Sequence, residues 1–320
     1  MKRRIKHVTV LGSGIMGSGI AAHFANIGVQ VLLLDIVPFE LTEAEQKKGL
    51  TKEDKAVRNR IATENFVKLQ KSSPALLYSP KFAERITVGN FEDDLEKIKK
   101  TDWIIEVVVE RLDIKKSVYE KIEQHRKPGT LVSSNTSGIP IHFLIEGRSD
   151  DFKKYFAGTH FFNPVRYLPL LETDPEIIKF YMEYGAKFLG KATVEAKDTP
   201  AFIANRIGVF SMMNLLHEVQ NLGLNVSDID KLTGPVIGRP KSATFRTADV
   251  VGLDTLVMVA NGVRDSKAEA NDFNDVFALP KYIQTMIDNK WLGSKTEQGF
   301  YKKVKNAEGK SEIHGLNLET

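Results

Sequence analysis

The stretch Val8–Asp35, VTVLGSGIMGSGIAAHFANIGVQVLLLD, decides the fold. It opens with an apolar run (Val8, Val10, Leu11) that reads as a buried strand. The chain then passes through Gly12-Ser-Gly14-Ile15-Met16-Gly17 into a helix of small residues. A second apolar run follows and closes on Asp35. Each part has a physical task. Gly12 makes the tight turn, Gly14 lets a pyrophosphate approach the backbone, and Gly17 lets helix and strand pack closely. The free N–H groups at the helix start, those of Ile15 and Met16 among them, hold phosphates with the help of the helix dipole. Asp35 falls at the tip of the next strand, where a carboxylate accepts from both ribose hydroxyls and repels a 2′-phosphate. That favours NAD over NADP. A glycine-rich turn with no ligand leaves the acid at the strand end unexplained.

Composition bounds the rest. The 320 residues, 42% apolar and 27% charged, are those of an ordinary globular chain long enough for two domains, each with its own core. A net charge of +4 without a concentrated tail gives no case for a nucleic-acid partner. The absence of cysteine excludes disulfides, thiolate catalysis and Cys-ligated metal, and fits a reducing compartment. No metal is expected. The start MKRRIKHVTVLGSG is basic, but its apolar part is too short for a signal peptide. No apolar run approaches the ~18 residues of a membrane span. A cytoplasmic protein with no membrane partner is expected.

Beyond Asp35 the chain to Ser73 is charged and helix-favouring, with Thr51 as an N-cap and Asp54 as its capping-box acid. Its cations Lys52, Lys55, Arg58, Arg60 and Lys68 suit either a solvated helical face or the phosphates of a large substrate. Phe82–Val88 reads as a strand and Asp93–Lys100 as a short helix. Trp103–Glu110 reads as a strand buried on both faces, Asp113–His125 as a crossover helix and Leu131–Ser134 as the next strand. Strands alternating with helices imply a doubly wound parallel sheet. Ligands of such sheets lie beyond the carboxyl ends of the strands. Glu110 and the segment Ser134-Asn-Thr-Ser137-Gly138 fall there.

Phe156-Ala-Gly-Thr-His160-Phe-Phe-Asn163-Pro164 is the second informative stretch. A lone histidine in an apolar strand is ordinarily a core residue. Here Asn163 follows, held extended before Pro164, and Glu172 lies twelve residues downstream of His160, after a segment able to fold back. A histidine oriented by a carboxylate takes a proton from a hydroxyl as hydride leaves carbon. Spacing alone leaves both readings open.

Asp198-Thr-Pro200 reads as a helix start and as the domain boundary, because strand–helix alternation stops there. Ile203, Ile207, Phe210, Met213 and Leu216 recur at helical spacing, with Asn205 at the open end. Further helices are read from Ser227 to Gly234, over Asp249–Val263 and over Pro280–Asn289. The expectation is a dinucleotide-binding domain over 1–198 and an all-helical substrate and dimerisation domain over 199–320, forming a homodimer.

Taken in order, these motifs resemble the 3-hydroxyacyl-CoA dehydrogenase family, the NAD enzymes of fatty-acid β-oxidation. The likeness covers nearly the whole chain. It rests on Gly12–Gly17 with Asp35, Val109-Glu110-Arg-Leu, Ser134-Asn-Thr-Ser137, His160-Phe-Phe-Asn163-Pro, Asp198-Thr-Pro-Ala-Phe-Ile-Ala-Asn205-Arg, Val251-Gly-Leu-Asp-Thr and Gly299-Phe-Tyr. The Gly238–Arg246 stretch is similar to long bacterial members that carry an enoyl-CoA hydratase domain after the dehydrogenase, so such a fused domain beyond Thr320 is among the expectations. The resemblance implies a doubly wound (Rossmann) sheet followed by an all-α domain, with an acyl-CoA substrate. It makes His160 the general base, oriented by Glu172, with Ser137 and Asn205 bonding the oxygen at C3. Asp35, Glu110, Lys115, Ser137, Asn163 and Lys295 match positions that contact NAD. CoA would lie along residues 51–70. One departure stands out: Glu172 runs straight into Thr173-Asp-Pro, where the family has further strand-like residues. Two rivals remain, a dehydrogenase of a small hydroxy or sugar acid and a non-catalytic NAD-binding protein.

Overall fold

The computed structural model describes the backbone of residues 3–168, 170–174, 177–265 and 274–318; the side chains of 170, 172–174 and 274 are outside that description. The chain divides into two compact units, 1–198 and 199–320.

The first unit is built on one eight-stranded sheet. Its strands are β1 (His7–Leu11), β2 (Gln30–Asp35), β3 (Ile86–Asn90), β4 (Trp103–Glu106), β5 (Leu131–Ser134), β6 (Phe156–Phe161), β7 (Leu170–Asp174) and β8 (Ala192–Glu195). The order is β3-β2-β1-β4-β5-β6-β7-β8. The first six in that order run parallel, β7 runs against β6, and β8 runs parallel to β7. Strand order reverses between β1 and β4. This is the doubly wound arrangement, and it opens a crevice at the carboxyl ends of those two strands. Among the described residues eight α-helices lie between the strands: α1 (Ile15–Asn26), α2 (Glu43–Lys47), α3 (Lys55–Arg58), α4 (Arg60–Gln70), α5 (Leu112–His125), α6 (Ile141–Ile145), α7 (Asp150–Lys154) and α8 (Ile178–Lys187).

The core of this unit centres on Trp103. Its ring meets Phe24 edge-on at 5.2 Å, Tyr181 at 4.9 Å and Tyr184 at 5.8 Å. Such aromatic pairs contribute about 0.5–1.5 kcal/mol each beyond the area they bury. The indole N–H donates to the Ser133 hydroxyl (2.9 Å), so burial strands no polar group. Small residues on α1 bring it against the sheet and against Val165, whose Cγ2 would stand 3.0 Å from a Cβ added at Gly19.

Several boundaries differ from the sequence reading. The strand expected over Trp103–Glu110 ends at Glu106, because the Glu106 carboxylate takes the N–H of Val108 (2.7 Å) and bends the chain across Gly12. Pro80–Arg85 is a 3-10 turn, and β3 begins only at Ile86. Thr51 and Asp54 do bond each other, but they close a turn ahead of α3. The capping box is Thr42 with Glu45, at α2. Asp198 caps a distant helix, accepting from the N–H groups of Ile141 and His142 at the start of α6, and does not start its own.

The second unit is helical, with α9 (Ala204–Leu222), α10 (Val226–Leu232), α11 (Phe245–Val251), α12 (Leu253–Asp265) and α13 (Lys281–Asp288). The helix expected over Asp249–Val263 is two helices, broken at Gly252 with φ +97°. Nor is the unit purely α. Strands β9 (Tyr301–Lys305) and β10 (Ser311–Gly315) form an antiparallel hairpin, held because the Asp249 carboxylate accepts from the N–H groups of Phe300 (2.8 Å) and Tyr301 (2.9 Å). Phe300 is fully buried against Phe245, and Trp291 packs half-buried on the same core. Among the described residues no helix is long and apolar enough to cross a membrane.

His23 on α1 is buried, its Nε2–H bonded to the Leu189 carbonyl (2.9 Å) and its Nδ1 without a partner among the described residues. Burial pushes its pKa down from 6.5 to about 4, with the charges of Lys191 and Arg166 adding to the shift. Between those values the unfolded chain binds a proton that the folded chain refuses. Stability is therefore full above 6.5 and falls as pH drops towards 4. The urea midpoint should fall between about pH 7 and about pH 5, and His23→Gln should flatten that fall; an equal fall in the variant would remove His23 from the account.

Candidate active site

The glycine loop connects β1 to α1. Gly12 sits at φ +105°, with its N–H bonded to Leu34 O (2.8 Å). A Cβ there would lie 2.5 Å from Val107 O, and one on Gly17 would lie 1.8 Å from Gly12 O, so the packing of the protein itself demands both glycines. Gly14 is different: an added Cβ would meet nothing within 4 Å. Space over Gly14 is what a pyrophosphate needs. The N–H groups of Ile15, Met16 and Gly17 precede the first intrahelical bond (Ser18 N to Gly14 O, 2.8 Å), and no side chain caps them. Ile15 is exposed and Met16 half-buried.

Asp35 ends β2, as expected. One carboxylate oxygen accepts from the Ser13 N–H (2.6 Å) and hydroxyl, the other from the Ile36 N–H (2.7 Å). Asn65 on α4 donates to the Ser13 hydroxyl (2.9 Å), which ties the acid, the glycine loop and α4 together. Neither Ser13 nor Asn65 was singled out from the sequence.

A buried charge cluster stands beside this loop. Glu106, fully buried at the end of β4, accepts from Lys115 Nζ (2.7 Å), Tyr119 OH (2.5 Å), Ser134 Oγ (2.6 Å) and the Val108 N–H. Lys115, 1% exposed, also reaches Glu110 (3.2 Å). Glu110 in turn accepts from the Thr136 hydroxyl (2.6 Å) and from the N–H groups of Ser137 and Gly138 (2.9 Å each). Burial alone would raise the Glu110 pKa. The Lys115 charge and these three donors outweigh burial and hold it below the ordinary carboxylate value. Glu110 thus fixes the loop carrying Ser137, whose hydroxyl has no hydrogen-bond partner among the described residues.

The same loop is pinned to β6. Asn135 Oδ1 accepts the N–H of Phe161 (2.9 Å), next to His160. His160 is buried, with its ring 4.4 Å from that of Phe162. Its Cα partner across the antiparallel β6–β7 ladder is Glu172, whose side chain is outside the described ones. Despite the short run after Glu172, β7 continues through Asp174 and is paired on both sides. Asn163 is exposed, in a bend, and its peptide bond to Pro164 is cis.

The 3-hydroxyacyl-CoA dehydrogenase NAD-binding domain model matches residues 7–199, and the model of that family's C-terminal domain matches 202–303. The chain belongs to the 3-hydroxyacyl-CoA dehydrogenase family. A Bacillus subtilis protein named "Probable 3-hydroxyacyl-CoA dehydrogenase" is 55% identical over 309 residues, which are 95% of this chain and 39% of that protein. A Deinococcus radiodurans protein of the same name is 43% identical over 95% of this chain and 84% of its own length. A solved (S)-3-hydroxybutyryl-CoA dehydrogenase from Ralstonia eutropha has a TM-score of 0.70 at 26% identity, over 92% of this chain and 98% of that one. The chain thus spans well under half the length of the Bacillus relative and most of the Deinococcus one.

Two residues expected at the site of this 3-hydroxyacyl-CoA dehydrogenase family member belong to the second unit. Asn205 lies in the first turn of α9, and the Lys295 ammonium bonds both carboxylate oxygens of Asp254 (2.5 and 2.6 Å). In the basic region, Arg58 is neutralised by Asp93 and Glu92 (2.7 Å each) and Arg60 by Glu45. Lys52, Lys55 and Lys68 are exposed and make no ion pair among the described residues. Of the five cations expected to suit phosphates, these three lysines are the ones left without an ion pair among the described residues.

Lys115→Met should cost about 3–5 kcal/mol in urea unfolding, because it leaves a fully buried carboxylate without its cation. A loss under about 1 kcal/mol would mean that Glu106 gives up its charge once the cation is gone. Asp35→Ser should weaken NADH binding in fluorescence titration and narrow the preference over NADPH; an unmoved preference would refute the ribose contact.

Proposed function

We propose that this chain oxidises (S)-3-hydroxyacyl-CoA to 3-oxoacyl-CoA with NAD in fatty-acid β-oxidation, in the cytoplasm and as a homodimer. The observation that carries the reading is the ladder position of His160 opposite Glu172, at the carboxyl end of the sheet and tied through Asn135 to the Ser137 loop. Directly opposed residues in an antiparallel ladder are those that interact across strands.

The residues fit NAD. The uncapped N–H groups at the start of α1 and the open space above Gly14 suit a pyrophosphate, and Asp35 suits the ribose. When bound, NAD accepts the hydride from C3. This chain moves the proton: His160 takes it from the C3 hydroxyl, and Glu172 orients the ring and stabilises the imidazolium. The Ser137 hydroxyl, without a hydrogen-bond partner among the described residues, and Asn205 bond the oxygen as charge develops on it. Glu110, Asn163 and Lys295 contact the cofactor, as does Lys115, which pairs with Glu110. Lys52, Lys55 and Lys68 meet the CoA phosphates. Exposed apolar residues on the second unit, Ile207, Val236 and Val250 among them, supply the dimer surface. A fused enoyl-CoA hydratase domain accords with the greater length of the Bacillus relative.

Following NADH absorbance with acetoacetyl-CoA beside free acetoacetate tests this reading. Oxidation with the thioester alone supports it, whereas equal rates would show a small-acid dehydrogenase. His160→Ala should keep NADH binding while turnover falls by about 10²–10⁴-fold, the contribution of a positioned base. Unchanged turnover would remove the histidine from that role.

A further inference from the structure

Lys191 stands just before β8 and is 5% exposed, yet among the described residues no carboxylate pairs with it. Its ammonium donates instead to two backbone carbonyls, those of Val165 and Leu168 (2.6 Å to the latter). Both belong to a turn closed by the N–H groups of Tyr167 and Leu168 on Pro164 O (3.0 Å each). The turn carries the chain from His160, past Asn163, back to Glu172.

Other contacts also hold this turn. Val165 is buried against Gly19 of α1, and Arg166 and Tyr167 bond the Ala75 carbonyl (2.6 and 2.8 Å). Lys191 holds the turn as well, and its charge, unlike that of the half-buried Arg166, sits on an almost fully buried side chain. An apolar side chain would fill the same volume without taking an ammonium out of water. What it would not do is satisfy two carbonyls at once, with charge-assisted bonds roughly twice as strong as neutral ones.

We propose that Lys191 is a positioning residue for the reaction. It locks the β6–β7 turn, and through it sets Asn163 and the register that brings His160 opposite Glu172. The proposal rests on His160 being the base of the oxidation. It goes further in assigning a role to a residue that touches neither substrate nor cofactor.

Lys191→Met keeps the length of the stem and removes the donors. With acetoacetyl-CoA and saturating NADH, kcat per folded molecule should fall by about 10–10²-fold, as misplacement on the order of 1 Å predicts, with little change in NADH affinity. Amide exchange over 163–168 should quicken, and ethylammonium should restore part of the kcat of Lys191→Ala. Wild-type kcat and exchange in Lys191→Met would overturn the proposal, as would a loss explained by the unfolded fraction alone. Should Lys191→Met fold poorly, Lys191→Gln, which keeps one donor group, should give an intermediate kcat; wild-type turnover in that variant with no quickening of exchange would equally overturn it. His160→Ala is run in parallel. If that variant retains turnover, the base assignment fails, while exchange over 163–168 in Lys191→Met still reports on the lock.

Discussion

A single buried carboxylate organises the carboxyl end of the sheet. Glu106 ends β4, takes donors from Lys115 and Tyr119 on α5, receives the hydroxyl of Ser134 at the end of β5, and turns the chain through Val108. An uncompensated charge so deep would be strongly destabilising, so its donors have little freedom to move. Lys115 then passes the constraint to Glu110, and Glu110 passes it to the Ser137 loop. The position of a half-buried serine is thereby set from within the core.

The glycine loop divides its requirements differently. Gly12 and Gly17 are imposed by backbone that passes too close for any side chain, while the protein leaves Gly14 room. Two of the three glycines answer to folding, and the third faces open space.

Local constraints were legible in the sequence. The glycines, Asp35 at a strand end, the β5 strand and the α5 crossover all follow from nearest-neighbour chemistry and periodicity. Where a distant partner decides the outcome, the sequence was silent. Trp103–Glu110 is apolar throughout apart from its acids, and nothing in that run says that Glu106 will reach back for Val108. The charged residue inside a buried strand was the available signal, and it pointed to the hub. Asp198 has the look of a cap for its own downstream neighbours, but the helix it caps lies nearly sixty residues earlier in the chain. The basic face over 51–70 loses Arg58 and Arg60 to acids brought close only by folding. The terminal hairpin escaped notice because its strands are short, largely exposed and held from outside by Asp249.

The two tryptophans fall one to each unit. Trp103 is sealed among aromatic rings in the first core, and Trp291 is half-buried in the second. The chain therefore carries two built-in optical labels in unlike surroundings, one dry and one partly wetted. Emission from each reports the melting of its own unit, and replacing either with phenylalanine separates the two signals. Whether the units come apart in one cooperative step or two can then be read from light alone, without attaching a dye.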